Sequence, residues 1–452
     1  MQAASRSLRP TRIRWFVLSL VVLIMLVESL QRASLGIAGK LIQDEFLFST
    51  QKMGWILSAF SLGQALFQIP WGYAGDRYGP RGVLTLAVLC SAVSTAAIGL
   101  TPRVSLQGWF GIASLLIILR FLTGVGMAAA PLNSNKIVSV WMAPSERGVG
   151  SSAIPFGAGL GSLLAPTFIA WVMQRWGWRT SFYLCGAIAV AVALVWRLFV
   201  TNTPGEDPRV NAVERELLRR GREEDVGADI ARRENRPRRR PPWGKMLRNR
   251  SLWVISLSFS CQQYAITVFY TWFFIYLVRV RGLTLTRGGL WGSTPFIAMI
   301  LLSPVGGWIS DRTVGKLGKR RGRQGAVWLG MGCSAILLWV GSNTANNLVA
   351  IPLLAAAAGF NYFAVPSFWA TCIDLAPDFG ASVSSMMNTC GSLGGWLAPV
   401  VTAFVATHWG WTAAVDFAAL VTAVSGLLWL IVDPNQSIET GGISRSRVPT
   451  EL

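Results

Sequence analysis

The sequence predicts an all-α integral membrane protein with twelve transmembrane helices in two pseudo-symmetric six-helix bundles. Of the 452 residues, 52% are hydrophobic and only 14% are charged, whereas soluble domains usually contain about 25% charged residues. Apolar segments of the roughly 20 residues needed to cross the hydrocarbon core recur along the chain. Short motifs of the first half also return in the second half at nearly one spacing. These features indicate two related halves embedded in a lipid bilayer.

Hydropathy places six spans in each half. In the first half they cover about residues 15–39, 54–75, 82–101, 109–133, 148–172 and 179–200. In the second half they cover about residues 251–279, 287–310, 325–343, 348–373, 381–407 and 411–432. The predicted N-terminal tail, N-terminal bundle, linker, C-terminal bundle and C-terminal tail are residues 1–14, 15–200, 201–250, 251–432 and 433–452. The linker is hydrophilic, and a short charged helix is predicted in it around residues 212–220.

The basic residues are concentrated on one side of the predicted membrane. The formal net charge is +20, which in a soluble protein would suggest a nucleic-acid partner. Residues 1–14 carry four arginines and no acid, residues 201–250 carry 14 Lys+Arg against 9 Asp+Glu, and residues 311–323 carry six basic residues. The positive-inside rule then places both termini and the linker in the cytoplasm. We expect a multi-pass protein of a bacterial-type inner (plasma) membrane, monomeric and without a nucleic-acid partner.

The sequence gives no sign of an enzyme, a metal site or a cofactor. The six cysteines lie apart in mostly apolar segments without Cys-x-x-Cys spacing, which is typical of packing residues. The single histidine, His408, falls in a predicted loop, and no nucleophile–base set can be found. We therefore expect a protein that is not an enzyme.

Three short motifs occur twice, in the same order. The spacing between the copies is 235 residues for the first and 233 for the other two. The pairs are Gly72–Arg77 with Gly307–Arg312, Leu160–Pro166 with Leu393–Pro399, and Trp176–Trp178 with Trp409–Trp411. Parallel six-helix halves with a binding site between them are typical of secondary transporters.

The first repeated motif lies between the second and third predicted helices. It reads Gly72-x-x-x-Asp76-Arg77-x-Gly79-x-Arg81, and it resembles the signature loop of the major facilitator superfamily. Charge-assisted contacts from such a loop can hold one of two conformers. The alternative, a loop that only follows the positive-inside rule, explains the arginines but not the duplication. The predicted conformational gate comprises Gly72, Asp76, Arg77, Gly79, Arg81, Asp311 and Arg312.

Four further stretches resemble the anion:cation symporter branch of that superfamily. They are Gln31 to Ala38, Ser58 to Pro70, Arg120 to Gly126 with Asn135-Lys136, and Thr271 to Leu277. The resemblance implies that Arg32 and Arg120 line a central cavity and bind an anionic substrate. An arginine within a membrane span costs roughly 2.5–3.5 kcal/mol on the mildest scale, so each needs a partner or a wet cavity. The alternative for Arg120 is that it bonds only to backbone carbonyls.

Uncharged polar residues interrupt the apolar helices of the second half. They include Gln262, Gln263, Tyr264, Tyr270, Asn361, Tyr362, Ser367 and Asn388. Such groups can donate to and accept from substrate hydroxyls, and the resemblance implies this role for Asn388. The predicted substrate-binding set is Arg32, Arg120, Gln64, Gln263, Tyr264, Ser367 and Asn388. Any single member could instead form an ordinary interhelical hydrogen bond.

The chain departs from the symporter branch at the residues that carry protons. Relatives have an acid just before the first arginine and another seven residues after the second, where this chain has Gln31 and Met127. Glu28 is the one carboxylate predicted deep in a span, four residues from Arg32, so the two could pair on one helix face. The hypothesis is that Glu28 carries a single proton; the alternative is a passive counter-ion.

The resemblance implies a secondary active transporter that moves a small organic anion, such as a sugar acid or another carboxylate, by alternating access. We expect uptake coupled to a proton. Two alternatives stay open: uniport or exchange of organic anions without proton coupling, and proton-driven drug efflux. Two cavity arginines would repel cationic drugs.

Overall fold

The computed structural model describes residues 10–102, 111–143, 146–218, 243–376 and 380–435. Within these ranges the chain is helical apart from short connections and contains no strand, which confirms the all-α prediction. The helices of the N-terminal half are α1 Ile13–Phe46, α2 Thr50–Tyr78, α3 Pro80–Gly99, α4 Ile112–Met127, α5 Ala130–Trp141, α6 Arg147–Trp176 and α7 Trp178–Phe199. Those that follow are α8 Trp243–Arg248, α9 Arg250–Thr271, α10 Phe273–Arg279, α11 Leu285–Gly292, α12 Thr294–Asn343, α13 Asn347–Leu375 and α14 Gly380–Leu428.

These helices supply twelve crossings in the described part of the chain. Nine stretches there are long and apolar enough to span a membrane. Two of them, Leu285–Asn343 and Val383–Leu428, each contain a glycine break and so provide two crossings. The remaining crossing is α2, which has 29 residues and is less apolar because glutamines and charged residues interrupt it.

The repeated Trp-Gly-Trp motif forms the same tight turn in both halves. Gly177 has a φ of +83° and Gly410 a φ of +89°. A side chain at either position would find open space, so the backbone conformation, which L residues rarely adopt, is what requires glycine. The turn reverses the chain between consecutive crossings of each half.

The two halves contact each other closely at one end of the molecule. We call the end that holds the start of α1 and the residues around 200 and 250 the linker end, and the other the opposite end. Near the opposite end, a Cβ on Gly54 would lie 2.8 Å from the Pro399 carbonyl oxygen, and a Cβ on Gly289 would lie 2.7 Å from that of Pro166. Only glycine allows such close approach of backbones.

Contact between the halves weakens toward the linker end. Midway along α6, a Cβ on Gly159 would still lie 3.2 Å from the side chain of Ile300. Phe156, three residues nearer the linker end and on the same helix face, is 61% exposed. Along α6 the two halves thus contact each other less closely toward the linker end, although Asn388 and Gln68 still form a hydrogen bond across the interface on that side.

The first part of the linker is fastened to the N-terminal half. Residues 212–218 are helical, and Glu214, which has no exposed surface, accepts hydrogen bonds from the Thr11 hydroxyl and from the backbone N–H of Ile13. The Arg14 side chain bonds Glu214 at 2.9 Å and Glu146 at 2.7 Å. Burial raises the pKa of Glu214, but the bonds from Thr11 and Arg14 outweigh it, so this pKa lies below its ordinary value. These three charged residues, Arg14, Glu146 and Glu214, form what we call the linker clasp.

Candidate substrate site

The Arg32 guanidinium lies between aromatic rings from the two halves. Its Cζ is 5.6 Å from the ring centre of Phe60 on α2 and 4.3 Å from that of Tyr270 on α9. Within the described ranges its side chain takes part in no ion pair and no hydrogen bond. Stacking on a ring occupies the face of a guanidinium and leaves the N–H groups at its edge available. Arg32 can therefore receive an oxyanion.

Arg120 is bonded to the backbone of α1. Its Nη1 donates to the carbonyl of Gln31 at 3.2 Å and its Nη2 to the carbonyl of Arg32 at 2.5 Å. The guanidinium also lies 4.7 Å from the ring centre of Phe60, and the side chain is only 2% exposed. This is the backbone arrangement that the sequence left open for Arg120. It fixes the main chain of α1 at Arg32.

Glu28 is buried but does not pair with Arg32. It is 3% exposed, and its Oε1 has no hydrogen-bond partner; no cation among the described residues forms an ion pair with it. The expected pair is absent because Arg32 turns toward the interface between the halves. Glu28 shares a helix face with Gln31, which accepts from the Ser91 hydroxyl of α3 at 3.0 Å inside the N-terminal half.

Two tyrosines from the C-terminal half lie beside Arg32. Tyr270 covers the guanidinium, and Tyr362 on α13 interacts electrostatically with both Tyr270 and Arg32. Next to them, Gln262 donates to Asn361 at 2.6 Å, while Gln262 Oε1 and Asn361 Nδ2 remain without partners. Gln262 and Asn361 are fully buried, so this polar pair lies inside the C-terminal half.

The predicted substrate residues fall into two groups. Asn388 donates to Gln68 at 3.3 Å across the interface between the halves, Gln64 lies half-buried one turn from Phe60, and Gln263 lies against Gly391. In contrast, the hydroxyl of Tyr264 is bonded to Thr402 and that of Ser367 to Ser310, each within the C-terminal half. The structure does not bring Tyr264 and Ser367 to the Arg32 side.

The second copy of the duplicated loop forms a network of ion pairs at the linker end. Arg323 binds Asp311 at 2.7 Å and Asp374 at 3.4 Å, and Lys319 binds Asp374 at 2.9 Å. Arg312, predicted in the gate, instead stacks on Trp308. The sequence did not single out Lys319, Arg323 or Asp374, although the four-residue spacing of the first two on one helix face could have indicated a shared partner.

The first copy of the loop holds its helices through backbone contacts. A Cβ on Gly75 would collide with the Asn133 side chain, and Lys136 donates to the Gly75 carbonyl at 2.8 Å. Gly79 has a φ of +85°.

The other charged residues and the first glycine of this copy make fewer contacts with neighbouring helices. Arg81 donates from its side chain to the Arg197 carbonyl at 2.6 Å. Arg77 is exposed and lies over Tyr78, and Gly72 faces Leu132. The side chain of Asp76 lies outside the described part of the structure.

Comparisons with known proteins agree with this architecture. The family model described as Major Facilitator Superfamily matches residues 21–399. The chain is 25% identical over 432 residues to a probable sulfoacetate transporter of Cupriavidus necator, covering 94% of this chain and 95% of that one. It is 27% identical over 433 residues to a probable L-galactonate transporter of Escherichia coli, covering 94% and 91%.

The solved structures show the same fold. An inward-facing, occupied structure of a bacterial homologue of the human lysosomal transporter Spinster matches with a TM-score of 0.74 at 16% identity, covering 93% of this chain and 96% of that one. Together with the twelve crossings, these matches confirm the predicted fold and a multi-pass membrane protein that is a transporter, not an enzyme. The chain belongs to the major facilitator superfamily.

Proposed function

We propose that this chain is a secondary active transporter of a small organic anion and that Arg32 binds the anionic group. The observation that carries the proposal is the Arg32 guanidinium, which lies between Phe60 of one half and Tyr270 of the other. Its N–H groups form no hydrogen bond with any residue that the structure describes. A guanidinium offers a planar pair of donors that matches a carboxylate or sulfonate and keeps its charge at any working pH. Binding at this point would touch both halves at once, as alternating access requires.

Arg120 has a supporting role in this proposal. Its bonds to the Gln31 and Arg32 carbonyls position Arg32, and its charge makes the site more positive. Gln64, Gln263 and Asn388 are the proposed hydrogen-bonding residues for the rest of the substrate. The hydroxyls of Tyr264 and Ser367 already have partners, so these residues are assigned to the packing of the C-terminal half.

The names of the relatives support an acid as the substrate. The similar proteins are a probable sulfoacetate transporter and a probable L-galactonate transporter, and another is a hexuronate transporter of Bacillus subtilis. Each of these compounds carries a carboxylate or sulfonate. The unpaired Arg32 also disfavours drug efflux, since a cationic drug would meet a positive site.

Glu28 is the proposed proton carrier. It is buried, it forms no ion pair within the described residues, and Gln31 and Met127 stand where the resemblance to the symporter branch implies acids. One carrier allows one proton per cycle, so symport with a monoanion would be electroneutral and independent of membrane potential. The alternative is uniport or exchange, in which Glu28 moves no proton.

The looser contact of α6 with the other half toward the linker end gives the proposed direction of opening. If the linker is cytoplasmic, as the positive-inside rule predicts, the structure faces the cytoplasm of a bacterial-type inner membrane. The ion pairs of Arg323 and the duplicated loop would then act as the conformational gate, and the protein would work as a monomer.

The test is a ligand screen with two arginine variants. Detergent-purified protein is heated with sulfoacetate, L-galactonate, hexuronates, aldarates and aromatic acids, because a ligand that binds the folded state raises the apparent Tm. We expect a rise with one class of organic acid, its loss in Arg32→Gln, and its retention in Arg287→Gln, which removes an exposed arginine. A rise with cationic drugs but with no organic acid would overturn the proposal.

A further inference from the structure

We propose that Phe60 is a positioning residue whose ring holds the Arg32 guanidinium in the orientation that binds the anion. The guanidinium groups of both Arg32 and Arg120 lie over this single ring. The inference rests on the proposed function, and it assigns part of the affinity for the anion to a side chain that has no hydrogen-bonding group.

The Phe60 ring attracts two cations at once. The Cζ of Arg32 lies 5.6 Å from the ring centre and that of Arg120 lies 4.7 Å from it. Both distances fall within the roughly 6 Å at which a ring face attracts a cation. Phe60 is 3% exposed, and the attraction is stronger where water is excluded. The ring therefore offsets part of the repulsion between these two neighbouring charges.

The backbone on either side of Phe60 is packed tightly against the helix that carries Arg120. A Cβ on Gly124 would collide with the Phe60 carbonyl oxygen, and a Cβ on Gly63 would collide with that of Phe121. Gly124 is one turn from Arg120 on α4. Because the backbones of α2 and α4 touch at these two glycines, the ring has a fixed place beside Arg120.

Arg120 connects the same ring to α1. It donates to the carbonyls of Gln31 and Arg32, so the Arg32 side chain leaves α1 from a fixed point and then lies against Phe60. Helices α1, α2 and α4 all belong to the N-terminal half, whereas Tyr270 belongs to the other. A movement of one half against the other would therefore change the contact of Arg32 with Tyr270 but keep its contact with Phe60.

Support from the ring leaves the binding edge of Arg32 free. A guanidinium stacks through its face, while its N–H groups point outward in its plane. Phe60 therefore does not compete with an oxyanion for these donors. A side chain that is already held in one orientation loses less entropy when a ligand binds. Weakening the attraction of the ring should thus weaken anion binding, although no hydrogen bond is removed.

The experiment replaces Phe60 with mono-, di- and trifluorinated phenylalanine in the full-length protein. Each added fluorine withdraws electron density from the ring face and so weakens its attraction for a cation, while the shape of the side chain is nearly kept. Affinity is measured by isothermal titration with sulfoacetate or L-galactonate, whichever binds the wild-type protein in the thermal screen. We expect affinity to fall with each fluorine and to be at least about tenfold lower with the trifluorinated ring, which corresponds to about 1.4 kcal/mol.

The same series at Phe368 is the matched control. Its ring is also buried and lies against the rings of Phe259 and Trp429, and no cation lies over it in the part of the chain that the structure describes. Fluorination there should leave the affinity for the anion unchanged. A second variant, Phe60→Leu, removes the ring face but keeps an apolar side chain, and it should bind the anion at least about tenfold more weakly than the wild-type protein.

Each contrary result has a distinct meaning. If fluorinated Phe60 and Phe60→Leu bind the anion as tightly as the wild-type protein while Arg32→Gln does not bind it, the inference falls and the proposed function stands. A rise in affinity on fluorination of Phe60 would also overturn the inference, since the ring would then compete with the anion for Arg32. An equal loss in the Phe368 series would overturn it as a general effect of packing. If no organic acid binds the wild-type protein, the proposed function falls and the inference falls with it.

Discussion

The Nη2 of Arg120 donates a hydrogen bond of 2.5 Å to the backbone carbonyl of Arg32. Arg32 and Arg120 were both predicted to bind the anion. The structure links them through the main chain at Arg32, but their guanidinium groups have different surroundings. The edge of the Arg32 guanidinium faces the space between the halves, whereas the Arg120 guanidinium donates its hydrogen bonds to backbone carbonyls of α1.

The different placements predict different consequences of mutation. Arg120→Gln should lower the stability of the protein by about 1–3 kcal/mol, because buried bonds of a charged donor are lost, and should weaken anion binding only in part. Arg32→Gln should abolish binding with little change in unliganded stability. Thermal melting and titration of both variants check this. A fully stable Arg120→Gln protein that binds no anion would show that Arg120 is a direct ligand.

Glu28→Gln should uncouple transport from the proton gradient. The amide keeps the size of the side chain but cannot carry a proton, so proteoliposomes should still equilibrate the substrate without accumulating it under a pH gradient. In the wild-type protein, accumulation of a monoanion should follow the pH gradient and ignore an imposed potential. Gradient-driven accumulation by Glu28→Gln would leave Glu28 as a passive buried acid.

Gly36→Ala should impair closure of the halves. Its Cβ would lie 2.6 Å from the Tyr270 carbonyl oxygen, a distance that forces α1 and α9 apart. We expect a transport rate at least about tenfold lower, with less change in folding stability, since the strain falls on the interface between halves. Gly332→Ala is the control, because its Cβ would meet nothing within 4 Å. Equal transport by the two variants would contradict the predicted contact.

The linker clasp should make stability depend on pH. The pKa of Glu214 in the folded protein lies below its ordinary value of 4.5, so the carboxylate contributes stability that is complete above that value and is lost as pH falls below it. Melting temperatures of the wild-type protein should therefore decline below about pH 4.5. Glu214→Gln should lose about 3 kcal/mol at neutral pH and show a shallower decline. An unchanged slope would mean that the clasp is already broken in solution.

Much of the fold could be predicted because it rests on strong, repeated signals. Apolar length predicted the crossings, and the duplicated motifs predicted two related halves; that the repeated Trp-Gly-Trp forms a turn at Gly177 and Gly410 is known from the structure alone. Boundaries were less certain: α1 extends to Phe46, beyond the predicted residue 39, because Ile42 and Gln43 are buried against neighbouring helices. Such packing cannot be read from local hydropathy.

The candidate site was predictable in part. The free-energy cost of a charged side chain within a membrane span singled out Glu28, Arg32 and Arg120. It did not predict the direction in which each side chain points. Helix spacing allowed Glu28 to pair with Arg32, whereas contacts with Phe60 and Tyr270 turned the arginine away. The aromatic partners Phe60 and Tyr270 could not be predicted, because aromatic residues are common in apolar spans. Only the tertiary structure shows that these two rings cover a cation.

The duplicated turns also bear on how the molecule arose. Gly177 and Gly410 sit in matching motifs and adopt the same conformation, so the two halves share this turn of their scaffold. At the same offsets, the positions that correspond to Arg32 and Arg120 hold only uncharged residues, among them Ala265 and Ala355. An ancestral six-helix chain that assembled with its twin would have carried the turn in both subunits. The two arginines deep in the spans belong to one half alone, so fusion of two such chains would have allowed that half to specialise in anion binding while the other kept the common scaffold.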